Sequence, residues 1–343
     1  MLVEFAALYK PVKIGSLEFS GNLFLAPVAG YTDHVFRSLC MEQGACFTFT
    51  ELVSAESLHR RPEHYGLKDD SQIVPAAANL VRRSADGKPY AVQLFGADSE
   101  TIYKAAVLLA PLKPDVLDIN SGCPVSKVVK NGAGSALMKN PANLGKVVEA
   151  AVRASRESLG GVPVTIKIRS GWDSTSINYA ECARIAVEAG AAMVSLHSRT
   201  RSQMYSGKSN WSHLADLASR LNVPVTGSGD LFTPEDARQM LQETDCAAVM
   251  FARGAMGNPF IFSATRSFLE TGVYEPVPFS AKMDTFIRHL KNLAVTLGEK
   301  SACIEMRKQF CAYTKGYPGG AALRKDAVHA QTIADYCRIA EFD

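Results

Sequence analysis

One pattern limits the folds open to this chain more than any other. A short apolar run, a polar loop and a helix-length amphipathic stretch follow one another, and the cycle recurs along most of its 343 residues. Parallel strands joined by crossover helices produce that alternation. Eight runs have strand length and composition, at residues 23–27, 46–51, 91–95, 116–120, 164–168, 193–197, 225–227 and 247–251. Eight such units suit a closed (β/α)8 TIM barrel, and a doubly wound open sheet is the alternative that periodicity leaves open. A barrel occupies about 250 residues, which leaves a remainder too small for a second one.

The punctuation fills in the organisation. Residues 12–14 and 17–19 flank Gly15-Ser16 and read as a short hairpin able to plug the bottom of a barrel. Residues 52–90 form a long insertion at the catalytic end and contain His59, Arg60, Arg61, Arg82 and Arg83. After Phe262 the alternation stops. Residues 281–297, 302–314 and 321–337 then read as helices, with Tyr317-Pro318-Gly319-Gly320 as a turn between the last two. The expected division is a catalytic α/β barrel over 1–262 and an all-helical domain over 263–343, the boundary falling between Phe262 and Pro278.

Composition narrows the classes. Hydrophobic residues make up 47% of the chain and Gly and Pro are scattered, as in a packed globular protein. No basic stretch followed by an apolar run opens the sequence, and no uncharged apolar run of about 20 residues occurs, so neither a leader nor a membrane span is expected and the location should be cytoplasmic. The eight cysteines are widely spaced, with no C-x-x-C and no Cys/His clusters. That argues for reduced thiols, and against a disulfide framework or a metal site. A net charge of +3 neither demands nor excludes a nucleic-acid partner. Locally, residues 301–325 carry Arg307, Lys308, Lys315, Arg324 and Lys325 against Glu305 alone; such a stretch is either a solvated face or an anion-binding one.

Function is most visible in the polar residues within the strands. In Val164-Thr165-Ile166-Lys167-Ile168-Arg169 the two-residue period separates an apolar face from Thr165, Lys167 and Arg169. The apolar face suits the surrounding helices, so the polar one looks into the barrel. Ser195, His197 and Arg199 repeat the phase, as do Asp118 and Asn120. Cations pointing into a barrel mouth are costly unless something anionic meets them. These lie at carboxyl ends of strands, where barrel active sites are built. A structural ion pair, Asp118 with Lys167, is the plainer explanation; a bound anionic ligand covers more of the pattern. Gly227-Ser228-Gly229-Asp230, ahead of a helix, and Ala252-Arg253-Gly254-Ala255 supply a candidate phosphate site where barrels often have one. The loop Asn120-Ser121-Gly122-Cys123-Pro124 puts a thiol at the same end.

In these motifs the chain resembles the tRNA-dihydrouridine synthase family. Ala26-Pro27-Val28-Ala29-Gly30-Tyr31-Thr32-Asp33 is similar to its "APMAGVTD" signature, Gln93-Leu94-Phe95-Gly96 to its "QLFG", and Asp118 through Pro124 to its "DINxGCP", the most specific of the three. Lys167-Ile168-Arg169, His197-Ser198-Arg199, Gly227–Asp230 and Arg253 through Pro259 follow in family order, and residues 125–141 resemble the bacterial B-type branch most. The departures are Val28 for Met, Ser228 for Asn, Phe260 for a frequent Trp, and Arg307-Lys308-Gln309 for Arg-Lys-His.

The resemblance implies an FMN enzyme that is reduced by NADPH and then passes hydride from flavin N5 to C6 of a uracil in tRNA, while Cys123 protonates C5. It implies a flavin site made by Pro27, Val28, Ala29, Gln93, Lys167, His197, Ser228, Gly229, Asp230, Ala252 and Arg253. Asn120, Arg169 and Arg199 become candidates for the uracil side, and Arg307 and Lys308 for the RNA. A monomer is expected. Two other classes stay open at this stage: an FMN barrel acting on a free small pyrimidine, and a non-catalytic RNA-binding barrel.

Overall fold

The computed structural model describes residues 8–67, 78–84 and 86–340. The first seven residues, part of the stretch read above for a leader, lie outside them, as do residues 68–77 of the long insertion.

Ten strands are present among the described residues. β1 (Val12–Ile14) and β2 (Leu17–Phe19) pair as an antiparallel hairpin. β3 (Leu23–Leu25), β4 (Phe47–Ser54), β5 (Tyr90–Phe95), β6 (Val116–Ser121), β7 (Val164–Arg169), β8 (Met193–His197), β9 (Val225–Ser228) and β10 (Ala248–Phe251) close into one parallel barrel, with β10 beside β3. The closed barrel removes the open-sheet alternative. Around it run α1 (His34–Glu42), α2 (Ala55–Arg60), α3 (Ala78–Val81), α4 (Ser99–Leu108), α5 (Ser126–Val129), α6 (Pro141–Ser158), α7 (Tyr179–Glu188), α8 (Trp211–Arg220), α9 (Pro234–Thr244) and α10 (Ile261–Thr271). The tail adds α11 (Phe279–Leu297), α12 (Glu299–Tyr313), α13 (Gly320–Ala327) and α14 (Ile333–Ala340). No helix among the described residues is long and apolar enough to cross a membrane.

The two-residue period sorts side chains as expected. Val164, Ile166 and Ile168 join the apolar shell between barrel and helices. Inside the barrel the layers change from bottom to top. Phe24, Phe47, Phe49, Ala91, Val116, Met193 and Ala248 form an apolar floor, into which Val12, Ile14 and Phe19 of the hairpin pack. Phe19 lies 4.6 Å from Phe47, ring to ring, so the hairpin is the plug the sequence indicates. Above this floor the inward positions turn polar, which places the chemistry at the carboxyl ends of the strands.

Three details refine the sequence reading. The expected third tail helix is two: α13 ends at Ala327 and α14 starts afresh, with Thr332 and Asp335 exchanging hydrogen bonds in a capping arrangement. The division at 262/263 falls inside α10, which packs on α9; the link to the tail comes after Thr271. In the insertion Arg83 turns away from the catalytic end, pairing with Asp115 at 2.7 Å just ahead of β6.

Candidate active site

A cavity of about 400 Å³ opens at the catalytic end. Its wall includes Pro27, Val28 and Ala29 after β3, Gln93 on β5, Asn120 and Cys123 at the end of β6, and Lys167 and Arg169 on β7. His197, Ser228, Gly229, Asp230, Ala252 and Arg253 complete it. Residues expected at the cofactor, the uracil and the proton transfer thus converge on one space from seven strands or their loops, a volume suited to a small cofactor and part of a substrate.

Cys123 is held by its backbone. Asn120 Oδ1 accepts the N–H of Cys123 at 2.9 Å and of Gly122 at 3.2 Å. The carbonyl of Cys123 accepts both the N–H and the hydroxyl of Ser135, each at 3.0 Å. Arg169 Nε donates to the carbonyl of Gly122 at 2.8 Å. Gly134, at φ +59°, lets this turn close: a Cβ there would stand 2.7 Å from the Cys123 carbonyl oxygen. Burial raises the thiol pKa, against a hydrogen bond with the Val125 backbone and the charges of Arg169 and Lys167. Cys123 therefore keeps its proton at neutral pH, the state a proton donor needs.

Behind the thiol runs a buried chain of amides. Asn120 Nδ2 donates to Gln93 Oε1 at 2.8 Å, and Gln93 Nε2 donates to Asp118 at 2.6 Å. Thr165 donates to the other oxygen of Asp118 at 2.5 Å. Burial lifts the Asp118 carboxyl to about 6, against those two hydrogen bonds. Gln93 and Asn120 thus border the cavity with much of their hydrogen-bonding capacity already engaged, and Asn120 serves the cysteine loop. The Asp118–Lys167 ion pair, the plainer alternative weighed from the sequence, does not form. Lys167 meets no hydrogen-bond or ion-pair partner among the described residues, and burial, followed by repulsion from Arg169, brings its pKa down to about 8. An ammonium held there without a partner is poised for an anion.

The far wall is cationic. His197 is pushed well below its ordinary value by burial and then by Lys167, Arg169, Arg199 and Arg253, so it stays neutral. Asp230 is the one carboxylate among them on the wall and is shared by Arg199 at 2.7 Å and Arg253 at 3.2 Å. Arg199, a candidate for the uracil side, is 2% exposed and lies behind the wall, its guanidinium bound to Asp230, Ser206 and Gly207. Arg169 reaches the cavity, but its guanidinium also holds the carbonyls of Thr200 and Met204. Gly229, at φ +116°, leaves a notch beside His197 that a Cβ would fill, 2.3 Å from the Ser209 hydroxyl, itself buried without a partner.

Sequence reading missed Tyr205. This half-exposed ring stands at the mouth, 4.8 Å from the Arg253 guanidinium and 6.0 Å from that of Arg169. The signal was a lone aromatic in the polar loop after β8. Tyr31, Leu52, Leu231, Met250 and Met256 also line the cavity unannounced. The tail cations expected at RNA lie apart from it. Arg307 is half-buried and donates to the carbonyl of Ala330 at 3.3 Å, and Lys308 pairs with Glu305 at 2.6 Å.

Comparison with known proteins decides the family. The family model described as "Dihydrouridine synthase (Dus)" matches residues 24–341. The chain belongs to the dihydrouridine synthase family. It is 46% identical over 338 residues to a Treponema pallidum (strain Nichols) protein described as "Probable tRNA-dihydrouridine synthase", covering 97% of this chain and 96% of that one. It is 34% identical to "tRNA-dihydrouridine synthase B" of Xanthomonas axonopodis pv. citri (strain 306), covering 94% and 92%. An old yellow enzyme homologue from Zymomonas mobilis shares the fold, with a TM-score of 0.53 at 13% identity over 79% of this chain and 94% of that one. As a dihydrouridine synthase family member the chain is a flavin-dependent oxidoreductase.

Proposed function

We propose that this protein is a tRNA-dihydrouridine synthase that holds FMN in the barrel cavity, is reduced by NADPH, and saturates the C5–C6 bond of a uracil in tRNA. The observation that carries this reading is Cys123 on a pinned loop, its thiol pKa pushed up by burial, lining the same cavity as a wall of cations.

The residues fit a flavin with a terminal phosphate. Lys167 offers an unpaired ammonium, Gly229 a notch beside an unpartnered serine, and Arg253 a cation on the rim. His197, Ser228, Asp230 and Ala252 complete that side, and Pro27, Val28 and Ala29 provide an apolar wall for a ring. When bound and reduced, the flavin supplies a hydride to uracil C6. Cys123 Sγ gives its proton to C5, so the ring gains both hydrogens and the thiolate regains a proton from water. Lys167 favours negative charge in the cavity, and the Gln93–Asn120–Cys123 chain fixes the donor's position before the base arrives.

A uracil inside folded tRNA must leave its stack to reach this depth. The helical tail after Thr271 and the exposed Lys315 and Lys325 hold the RNA, with Arg169 and Tyr205 beside the extruded base. Mapping dihydrouridine in tRNA from cells lacking the protein tests the reading. Loss at a defined position, restored by re-expression, is expected; an unchanged complement contradicts it.

A further inference from the structure

The tail docks on the catalytic site itself. Residues 27–33 leave β3 with Pro27, Val28, Ala29 and Tyr31 on the cavity wall. Gly30, at φ +77°, turns its N–H onto Glu51 at 2.5 Å, and Glu51 is aimed there by a register shift in β4 between Phe49 and Leu52. The outer side of this short loop is covered by the tail. Gln309 of α12 donates from Nε2 to the carbonyl of Tyr31 at 3.1 Å. His289 of α11, fully buried, lies 3.1 Å from both oxygens of Asp33, the residue that caps α1 through Val35 and Phe36. Lys308 stands over Gly30, where a Cβ would come within 3.2 Å of its ammonium.

A second loop is seated the same way. Gly257, next to the cavity residue Met256, has φ +64°, and a Cβ on it would sit 2.3 Å from the Tyr313 nitrogen of α12. Because β10 and β3 are neighbours in the barrel, α12 wedges against two adjacent pocket-forming loops at once. Contacts meant only to attach an RNA-binding module would be free to fall anywhere on the barrel; these fall on the loops that shape the cavity.

We propose that Gln309 and His289 are positioning residues for the flavin pocket, acting through the loop 27–33, so that the tail sets cofactor binding and reduction in the absence of RNA. The inference rests on the flavin-enzyme reading above. Displacement of a reacting group by about 1 Å can cost about a hundredfold in rate, and Gln309 holds the Tyr31 end of this loop by a direct hydrogen bond.

The test uses the full chain. Gln309→Leu removes the donor with little change in volume, Gln309→Glu replaces it with an acceptor facing the Tyr31 carbonyl, and Gln309→His restores a ring N–H. Three quantities are measured without RNA: the affinity of the flavin-free protein for FMN, the rate of flavin reduction by NADPH, and the melting temperature. In Gln309→Leu and Gln309→Glu, FMN affinity or reduction rate should fall by about tenfold or more, and Gln309→His should recover most of it. If Gln309→Leu fails to fold, Gln309→Glu carries the comparison. A lower melting temperature with FMN affinity and reduction unchanged overturns the proposal and leaves Gln309 a packing residue. Wild-type protein that binds no flavin overturns the functional reading instead, so the two failures are distinct.

Discussion

Asn120 ties the cysteine loop to the barrel interior: one end of its amide accepts the Cys123 N–H at 2.9 Å while the other donates to Gln93 at 2.8 Å. Gln93 in turn is anchored on Asp118, two positions before Asn120 on the same strand. The position of Cys123 is therefore set by a hydrogen-bond relay within the protein.

That relay predicts a selective defect. Asn120→Ala should leave FMN binding and its reduction by NADPH near normal, because the thiol takes no part in either. Reoxidation by tRNA should slow by about 10–100-fold, the effect of a loosened reacting group. Rapid-mixing absorbance of the flavin separates the two; equal slowing of both halves would show that Asn120 acts on the cofactor.

Lys167 predicts a pH dependence. Burial and Arg169 hold its pKa at about 8 in the free protein. The ammonium is therefore intact below that value and is lost as pH rises through it, so affinity for an anionic cofactor should weaken across the same window. FMN titrations between roughly pH 7 and 9 should show the decline, and Lys167→Ala should abolish it while weakening binding by about 10–100-fold at neutral pH. An identical pH profile in the variant would remove Lys167 from the cofactor's surroundings.

Much of this site was readable because side chains on a strand alternate. Thr165, Lys167 and Arg169 share a phase with no apolar reason to do so, and that alone pointed them into the barrel. What alternation cannot show is which partner each group has taken. Arg199 has the same phase as His197, yet Asp230 from β9's loop draws it behind the wall; the pairing joins residues distant in sequence and leaves no periodic trace. The break between α13 and α14 escaped for a local reason, since Thr332 and Asp335 also fit a continuous helix until their capping bonds are seen. The seating of Gln309 on Tyr31 spans the whole barrel in sequence and was legible only in three dimensions.

The tail cations divide by their partners, and so should their effects on RNA. Arg307, Lys308 and Arg324 are engaged by Ala330, Glu305 and Thr314, whereas Lys315 and Lys325 are exposed. Replacing Lys315 and Lys325 together with Ala should weaken tRNA binding at low salt and flatten its dependence on salt by roughly one unit of slope per lost phosphate contact. Reduction of the flavin without RNA should be untouched. Filter binding across a salt series decides it; an unchanged slope would place the RNA elsewhere on the surface.

Cys123→Ser tests the proposed proton donation by Cys123 most directly. Stopped-flow absorbance follows both half-reactions on one sample. Reduction by NADPH precedes entry of the base and should proceed at nearly the wild-type rate. Reoxidation by unmodified tRNA should slow by about 10²–10⁴-fold, the usual consequence of losing a general acid, since serine keeps the shape but holds its proton far more tightly. Near-normal reoxidation of the variant would contradict the mechanism and leave Cys123 as a residue that only packs its loop.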